Sequence, residues 1–216
     1  MGILIKPNSI VFGVEEYNRA ALSREELGLF KAEFDTLFNV TDSIEKRMLQ
    51  ERFDTIQACT EAIKFALDSK PFKGIAPADT EIGWSRIRPE HFGMTNWKVS
   101  LTAGWQDWLG SWTSPYTVPD DVGFIILGFK SYSATPKLAA VHVKVGRQEF
   151  VPIDVRFIKA KDNPNGVAIA PIPTLILVPK VEVAIRFQSD ETADDEIEPV
   201  GIAVGLGRYL KKESYT

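Results

Sequence analysis

The pattern of apolar and polar positions along this 216-residue chain changes near residue 70. Before that point, apolar residues recur every three or four positions, which is the spacing of a helix with one buried side. After it, short apolar runs alternate with polar residues and end at glycine or proline, which is typical of strands and turns. The chain is therefore predicted to divide into a helical extension, residues 1–70, and a β-domain, residues 71–216.

The N-terminal extension predicts a short strand pair followed by an antiparallel helical hairpin. Ser23 and Glu26 form a capping box for the first helix, and the second helix ends before Pro71 because the residue preceding proline disfavours helical geometry. The connection at 39–42 is short enough to place the two helices side by side. The apolar stripe of the second helix can contact the first helix, a sheet or a neighbouring subunit, and consists of Leu49, Phe53, Ile56, Ile63 and Leu67.

The β-domain predicts about eight short strands with turn signals between them. Residues 145–148 are typical of a hairpin, 161–166 form the strongest turn signal, and the acidic stretch 189–198 is expected to be a solvated loop. The predicted fold class is mainly β: an antiparallel β-sandwich, jelly-roll-like, with the helical hairpin at its N-terminus. An immunoglobulin-type sandwich is the rival, but its Cys-Trp-Cys framework is missing.

Tryptophan is concentrated in one segment that leads into the first strong strand. Trp105, Trp108 and Trp112 are three and four residues apart, so a helical turn would place them on one face. Aromatic rings can stack on sugar rings or bases, and tryptophan is also enriched at protein interfaces. The segment therefore predicts either a ligand-binding surface or a buried cluster at a sandwich end or subunit contact, and the candidates are Trp105, Trp108, Trp112 and Tyr116.

The net charge and the reactive residues exclude some classes of function but identify no reaction. The net charge of −4 argues against direct nucleic-acid binding, which needs clustered Lys and Arg. Cys59 is the single cysteine, and the two histidines, His91 and His142, stand in no nucleophile motif. We therefore expect no enzymatic activity and no cofactor. Calcium candidates without EF-hand spacing are Asp190, Asp194, Asp195 and Glu196.

The layout of the chain resembles virion structural proteins that carry a β-sandwich or jelly-roll shell domain with an N-terminal helical extension. The features that carry the resemblance are the hairpin over 23–69, the segment TAGWQDWLGSW and the proline-bounded strands over 122–209. The resemblance implies self-assembly into a shell, contacts with copies of the same chain and with other virion proteins, and a location in the virion. It implies no catalytic residues.

Two hypotheses of different class follow from the sequence. The first is a non-enzymatic structural protein that forms homo-oligomers, such as a viral capsid protein. The alternative is a carbohydrate- or ligand-binding β-sandwich that uses the tryptophan-rich segment. No signal peptide is expected at the N-terminus, and the apolar runs are short for a membrane span. If the protein is not viral, its expected location is the cytoplasm or is left open.

Overall fold

A computed structural model describes residues 5–6, 9–10, 49–68, 82–133, 135–155 and 168–210 of the chain. At the N-terminus, β1 (Ile5–Lys6) pairs antiparallel with β2 (Ser9–Ile10). Three predictions lie outside the described residues, namely the first helix of the hairpin, the turn at 161–166 and the domain boundary at residue 70.

Within these described ranges, the remaining elements are two helices, one short 3₁₀ turn and the strands of the β-domain. In chain order they are α1 (Phe53–Asp68), β3 (Ile82–Arg86), the 3₁₀ turn Pro89–Phe92, β4 (Lys98–Leu101), β5 (Gly104–Leu109), β6 (Tyr116–Thr117), β7 (Val122–Ser131), β8 (Leu138–Val145), β9 (Gln148–Glu149), β10 (Ile153–Asp154), β11 (Ala168–Leu177), β12 (Glu182–Ser189), β13 (Ala193–Leu206) and α2 (Gly207–Leu210).

The strands form two antiparallel sheets that pack against each other as a β-sandwich. The first sheet has the order β11-β7-β13-β3, with β4 also paired to β13, and the second has the order β10-β8-β12-β6, with β9 also paired to β8. An ion pair between Asp107 and Arg186 and a bridge between Ala103 and Ser189 place β5 alongside β12.

The pairing follows a nested order along the chain. β3 lies beside β13, β5 beside β12, β7 beside β11 and β8 beside β10, so the first strand meets the last and the middle strands meet each other. This is the arrangement of a jelly roll, in which one long folded-over hairpin wraps into two sheets. The predicted antiparallel, jelly-roll-like β-sandwich is therefore confirmed.

Two strand boundaries differ from the sequence prediction. The apolar run EFVPIDV, residues 149–155, which the sequence pattern predicts as one strand, is interrupted at Pro152 because proline has no N–H to donate to a ladder. The prediction of a loop over the acidic stretch is wrong from residue 193 onward. Strand β13 begins at Ala193, and its residues 193–196 pair with β4. Strand pairing there outweighs the low β-propensity of aspartate.

Large apolar side chains fill the space between the sheets. Alternate residues of each strand point inward, as the two-residue period of a strand requires. The largest fully buried side chains of this inter-sheet core include Phe124, Phe129, Phe187, Leu101, Ile126, Ile172 and Leu177.

The helix α1 covers the outer face of the first sheet. Ile56 and Ile63 are buried in a second apolar cluster with Ile125 of β7 and Ile202 of β13. The helix approaches the sheet so closely that a Cβ atom on Gly123 would lie 2.8 Å from Cγ2 of Ile63. The stripe residues Leu49, Ile56, Ile63 and Leu67 are all buried in this contact, with Phe53 partly buried against it.

A side-chain bridge adds polar contacts between the helical segment and two strands. The Nη1 atom of Arg52 donates to the carbonyl oxygens of Leu127, at 3.1 Å, and Ile172, at 2.6 Å. The second carbonyl lies in β11 where the register with β7 shifts between Pro171 and Leu175. The guanidinium therefore satisfies backbone acceptors at an irregular part of the sheet, where unpaired carbonyls would be costly.

Cys59 lies in the contact between α1 and the sheet, and its burial controls its reactivity. Burial raises the pKa of the Cys59 thiol from 9.0 to about 12. Because the thiolate is the reactive form, we expect native Cys59 to resist a thiol reagent such as DTNB at mildly alkaline pH and to react once urea unfolds the chain.

The same shift predicts a pH effect on stability. Between pH 9.0 and about 12 the unfolded chain loses the Cys59 proton and the folded chain keeps it, so stability falls as the pH rises through this window. Urea titrations of the wild type and Cys59→Ala at several pH values isolate this contribution. A wild type that loses no more stability than Cys59→Ala would contradict the prediction.

Among the described helices, we find none with the length and apolarity that a bilayer crossing requires.

Candidate functional site

The tryptophan-rich segment forms a strand, and this changes the arrangement of its indoles. The expectation that Trp105, Trp108 and Trp112 share one face of a helical turn is wrong, because Gly104–Leu109 is β5. Side chains an odd number of positions apart in a strand point to opposite faces. Trp105 accordingly points outward and is 41% exposed, while Trp108 points inward and is only 9% exposed.

Trp108 belongs to the core between the sheets. Its ring stacks on Phe187, with centroids 5.0 Å apart, and packs edge-on against Phe129 at 5.5 Å. The Trp97 ring also stacks on the Trp108 ring, with centroids 6.2 Å apart. The Phe92 ring also packs edge-on, 6.0 Å away. An indole enclosed by four other rings has no face left for a ligand, so Trp108 contributes to stability.

Tyr116 lies at one end of the same core. Its hydroxyl donates to the carbonyl oxygen of His91 at 3.1 Å, and its ring packs edge-on against Phe92 at 5.8 Å. Tyr209 donates to the same carbonyl. Burial raises the pKa of the Tyr116 hydroxyl, which keeps it a donor over the ordinary pH range. These contacts give Tyr116 a structural role in this part of the core.

Polar side chains on the outer face of the second sheet form two close pairs. Val141, Val143, Ile185 and Phe187 point into the core, so the alternate residues His142 and Arg186 point outward, directly opposite each other in the register of β8 and β12. Arg186 Nε lies 2.6 Å from Asp107 Oδ1, and His142 Nε2 lies 3.0 Å from Glu149 Oε1.

Two indoles border these two pairs. The Trp105 ring meets the His142 imidazole edge-on at 5.6 Å, and the Trp112 ring lies 4.7 Å from the same imidazole. The Arg186 guanidinium is placed over Trp112, 4.4 Å from the ring centroid, as a cation–π contact. Trp112 is therefore half-buried among its neighbours, and Trp105 presents the exposed ring. We call this surface the Trp105 face; it comprises Trp105, Asp107, Trp112, His142, Glu149 and Arg186.

The acidic residues considered for calcium do not form a cation site. Asp195 is buried, and its Oδ1 accepts hydrogen bonds from the Ser131 hydroxyl at 2.8 Å and the Glu196 amide at 2.7 Å. Asp194 accepts from the Ser100 hydroxyl at 2.7 Å. Within the part of the chain that the structure describes, no group of three or more His, Cys, Asp or Glu side chains could hold a metal ion. The strand explains this, because it turns successive carboxylates to opposite faces.

A second surface lies at the edge of the sandwich where β10 and β11 end the two sheets. Val151 is 84% exposed there. Beside it is an open apolar groove of about 430 Å³, lined by Phe150, Val151, Pro152, Ile153, Pro173, Leu175 and Val143. We call this surface the apolar edge. The sequence did not single it out, although the VP dipeptide inside a β-rich run is a signal of an interrupted edge strand.

No protein-family model matches this chain, and no curated protein matches it. Among solved structures, the chain is similar to the crystal structure of an exo-β-1,3-galactanase from Phanerochaete chrysosporium with galactose, at 15% identity and a TM-score of 0.27. The match covers 56% of this chain and 29% of that one, so the chain spans less than a third of that enzyme's length. A likeness at this level carries no argument about function.

Proposed function

We propose that this protein is a non-enzymatic structural protein that self-assembles, as the shell subunit of a virion does. The observation that supports the proposal is the apolar edge, where Val151 is 84% exposed beside a groove with no charged lining residue. Exposed apolar patches on a folded protein are characteristic of interaction surfaces. A jelly roll is an architecture that shells use, although a fold alone does not define a function.

The shape of the apolar edge favours a second copy of the chain as its partner. Val151 protrudes next to the hollow lined by Pro152 and Pro173, so one surface carries both a projection and a recess. A patch with both features can complement itself across a two-fold axis. The two prolines have no N–H to donate, so copies meet there through side chains instead of extending a sheet.

The test compares the oligomeric state of the wild type with that of Val151→Asp. We expect light scattering and electron microscopy to show assemblies of the wild type, and smaller species for the variant, because a carboxylate at the contact would have to be desolvated. Gln148→Asp, an exposed position on neighbouring β9, is the matched control and should assemble normally. A wild type that stays monomeric at every concentration, salt and pH tried would contradict the proposal.

The Trp105 face favours a second candidate function, carbohydrate binding. A half-exposed indole beside fixed polar side chains provides a stacking surface for a sugar ring together with donors and acceptors for its hydroxyls. The Trp105 face belongs to the outer side of a sheet and the apolar edge to the margin of the sandwich, so binding and assembly can coexist in one molecule.

The variant Trp105→Ala tests carbohydrate binding. Loss of one ring contact is worth about 1 kcal/mol, or roughly a fivefold rise in Kd. Glycan-array screening followed by titration of the best ligand measures the change. Tyr132→Ala removes an equally exposed ring, 44% exposed, outside this face and should leave binding unchanged. Equal binding by the wild type and Trp105→Ala would remove this candidate.

A further inference from the structure

We propose that the Trp105 face binds a single sugar ring, and that Glu149 and Lys144 select this ring by hydrogen bonding to two of its adjacent hydroxyl groups. This inference rests on the carbohydrate-binding candidate above and adds the size of the ligand and the residues that determine specificity. Three observations carry it: the position of Glu149 relative to Trp105, the separation of Glu149 from Lys144, and the hydrogen-bonding capacity that both side chains retain.

One sugar ring is large enough to contact Trp105 and Glu149 together. Both side chains flank the His142 imidazole: the Trp105 ring centroid lies 5.6 Å from the imidazole, and Glu149 Oε1 lies 3.0 Å from its Nε2. Trp105 is 41% exposed and Glu149 is 53% exposed, while His142 between them is 16% exposed. A ring that stacks on Trp105 with one edge over His142 therefore brings its hydroxyl groups to the Glu149 carboxylate.

Glu149 and Lys144 are cross-strand neighbours that do not pair with each other. The register of β8 and β9 places Lys144 directly opposite Glu149, and opposite charges at such positions ordinarily attract each other. In the structure, Glu149 contacts His142 instead, and Lys144 Nζ donates to the carbonyl oxygen of Trp112 at 3.4 Å. Within the described part of the chain, each of the two side chains is thus held by a different neighbour and no ion pair joins them.

Both side chains keep hydrogen-bonding capacity for a ligand. An ammonium group has three donors and a carboxylate has two acceptor oxygens, so the contacts with Trp112 and His142 use only part of what Lys144 and Glu149 offer. Nε2 of His142 can carry a hydrogen in either the neutral or the protonated imidazole, so its contact with Glu149 does not depend on the charge of the ring.

A pair of adjacent hydroxyl groups suits this combination of donor and acceptor. One hydroxyl donates to the Glu149 carboxylate, and its neighbour accepts from the Lys144 ammonium. A carboxylate on the ligand would be attracted by Lys144 but repelled by Glu149, and an ammonium would meet the reverse arrangement. Hydroxyl groups meet no such conflict, because each of them can both donate and accept.

The first experiment measures how affinity depends on ligand length. The intact protein is titrated by NMR with methyl glycosides of galactose, glucose, mannose, fucose and glucuronic acid at millimolar concentration, and then with oligosaccharides that end in the best of these sugars. We expect the methyl glycoside and the tetrasaccharide to have Kd values within about threefold of each other, because the further units extend away from Trp105 and Glu149.

The second experiment tests direct contact between Glu149 and one hydroxyl. Glu149→Ala should raise the Kd of the best sugar by roughly tenfold, because a hydrogen bond to a charged group is lost. Among deoxy analogues that each lack one hydroxyl, we expect one to bind the wild type and Glu149→Ala equally. A variant that only disturbed the fold would weaken every analogue, so this coupling identifies the contact.

Lys144→Ala should behave in the same way with the neighbouring hydroxyl. Asp120→Ala and Lys180→Ala are the controls for the two variants, because they remove the same two charges from an exposed ion pair in the loops that precede β7 and β12. Both controls should leave the Kd unchanged. Circular dichroism measures whether each variant is folded.

The possible results separate this inference from the function on which it rests. If Trp105→Ala weakens sugar binding while Glu149→Ala and Lys144→Ala bind as tightly as the wild type, the inference is wrong and the candidate function stands. The same holds if only oligosaccharides bind, or if only the glucuronic acid glycoside binds. If no carbohydrate binds the wild type, both the candidate function and this inference are wrong.

Discussion

Replacing Ile56 with aspartate should remove a large part of the protein's stability against unfolding. Ile56 is 1% exposed and lies between α1 and the first sheet, in the cluster that contains Ile125 and Ile202. The substitution removes apolar contacts and leaves a carboxylate without a cation, a defect that costs about 3–5 kcal/mol or more. Because whole domains are stable by only about 5–15 kcal/mol, this one change approaches the total. Circular dichroism and urea titration measure the loss.

The adjacent position provides a matched control for this prediction. Thr55 lies on the exposed side of the same helix, so Thr55→Asp introduces the same charge one residue away and should change the free energy of unfolding by no more than about 0.5 kcal/mol. Equal stabilities of Ile56→Asp and Thr55→Asp would mean that α1 does not cover the sheet. If Ile56→Asp unfolds and Thr55→Asp does not, the apolar stripe serves the fold of its own chain.

Replacing Trp108 with alanine should be the second most damaging change, with a loss of about 3–5 kcal/mol of stability. The indole is stacked on Phe187 and packed against Phe129, so its removal leaves a large cavity between the two sheets. Urea titration followed by circular dichroism measures the shift, which is preferable to fluorescence because the substitution removes one of the five tryptophans.

Trp105→Ala is the control for Trp108→Ala, because it makes the same substitution on the opposite face of the same strand. We expect its stability to fall by about 1 kcal/mol at most, from the lost edge-on contact with His142. The two variants thus separate opposite roles: Trp108 stabilises the fold, and Trp105 is available to a ligand. A Trp105→Ala variant as unstable as Trp108→Ala would contradict this division.

The sequence predicted the strands of the β-domain well where local pattern and global pairing agree. Runs such as residues 124–129 in β7 and 182–187 in β12 are dense in β-branched and aromatic residues. Glycine or proline marks the ends of the segments next to them in the chain. The hairpin at Gly146 also follows from local chemistry, because that residue adopts a positive φ of 58°. In these segments, the residues within a few positions of each other are enough to favour a strand or a turn.

The tryptophan-rich segment and the acidic stretch could not be predicted in the same way. Indoles three and four residues apart fit a helical turn, yet the strand β5 is stabilised by β12 beside it, which lies some eighty residues later in the chain. Likewise, Asp194 and Asp195 lie in a strand because β4 supplies the ladder and Ser131 supplies a hydrogen bond to Asp195. Partners so far away in the chain do not change the spacing of apolar residues within a segment, so the local pattern does not reveal them.

By itself, the sequence determined the class of fold, the existence of an apolar helix stripe and the segment in which exposed tryptophan would be found. These properties depend on side-chain chemistry and on apolar periods of two or 3.6 residues, both of which can be read directly from the sequence. Only the tertiary structure decided that α1 packs on its own sheet, that Trp108 is buried and Trp105 exposed, and that His142, Glu149, Arg186 and Asp107 meet on one face. The physical reason is that these outcomes depend on which strands pair with each other. Strand pairing is determined by the apolar surface that the whole jelly roll buries.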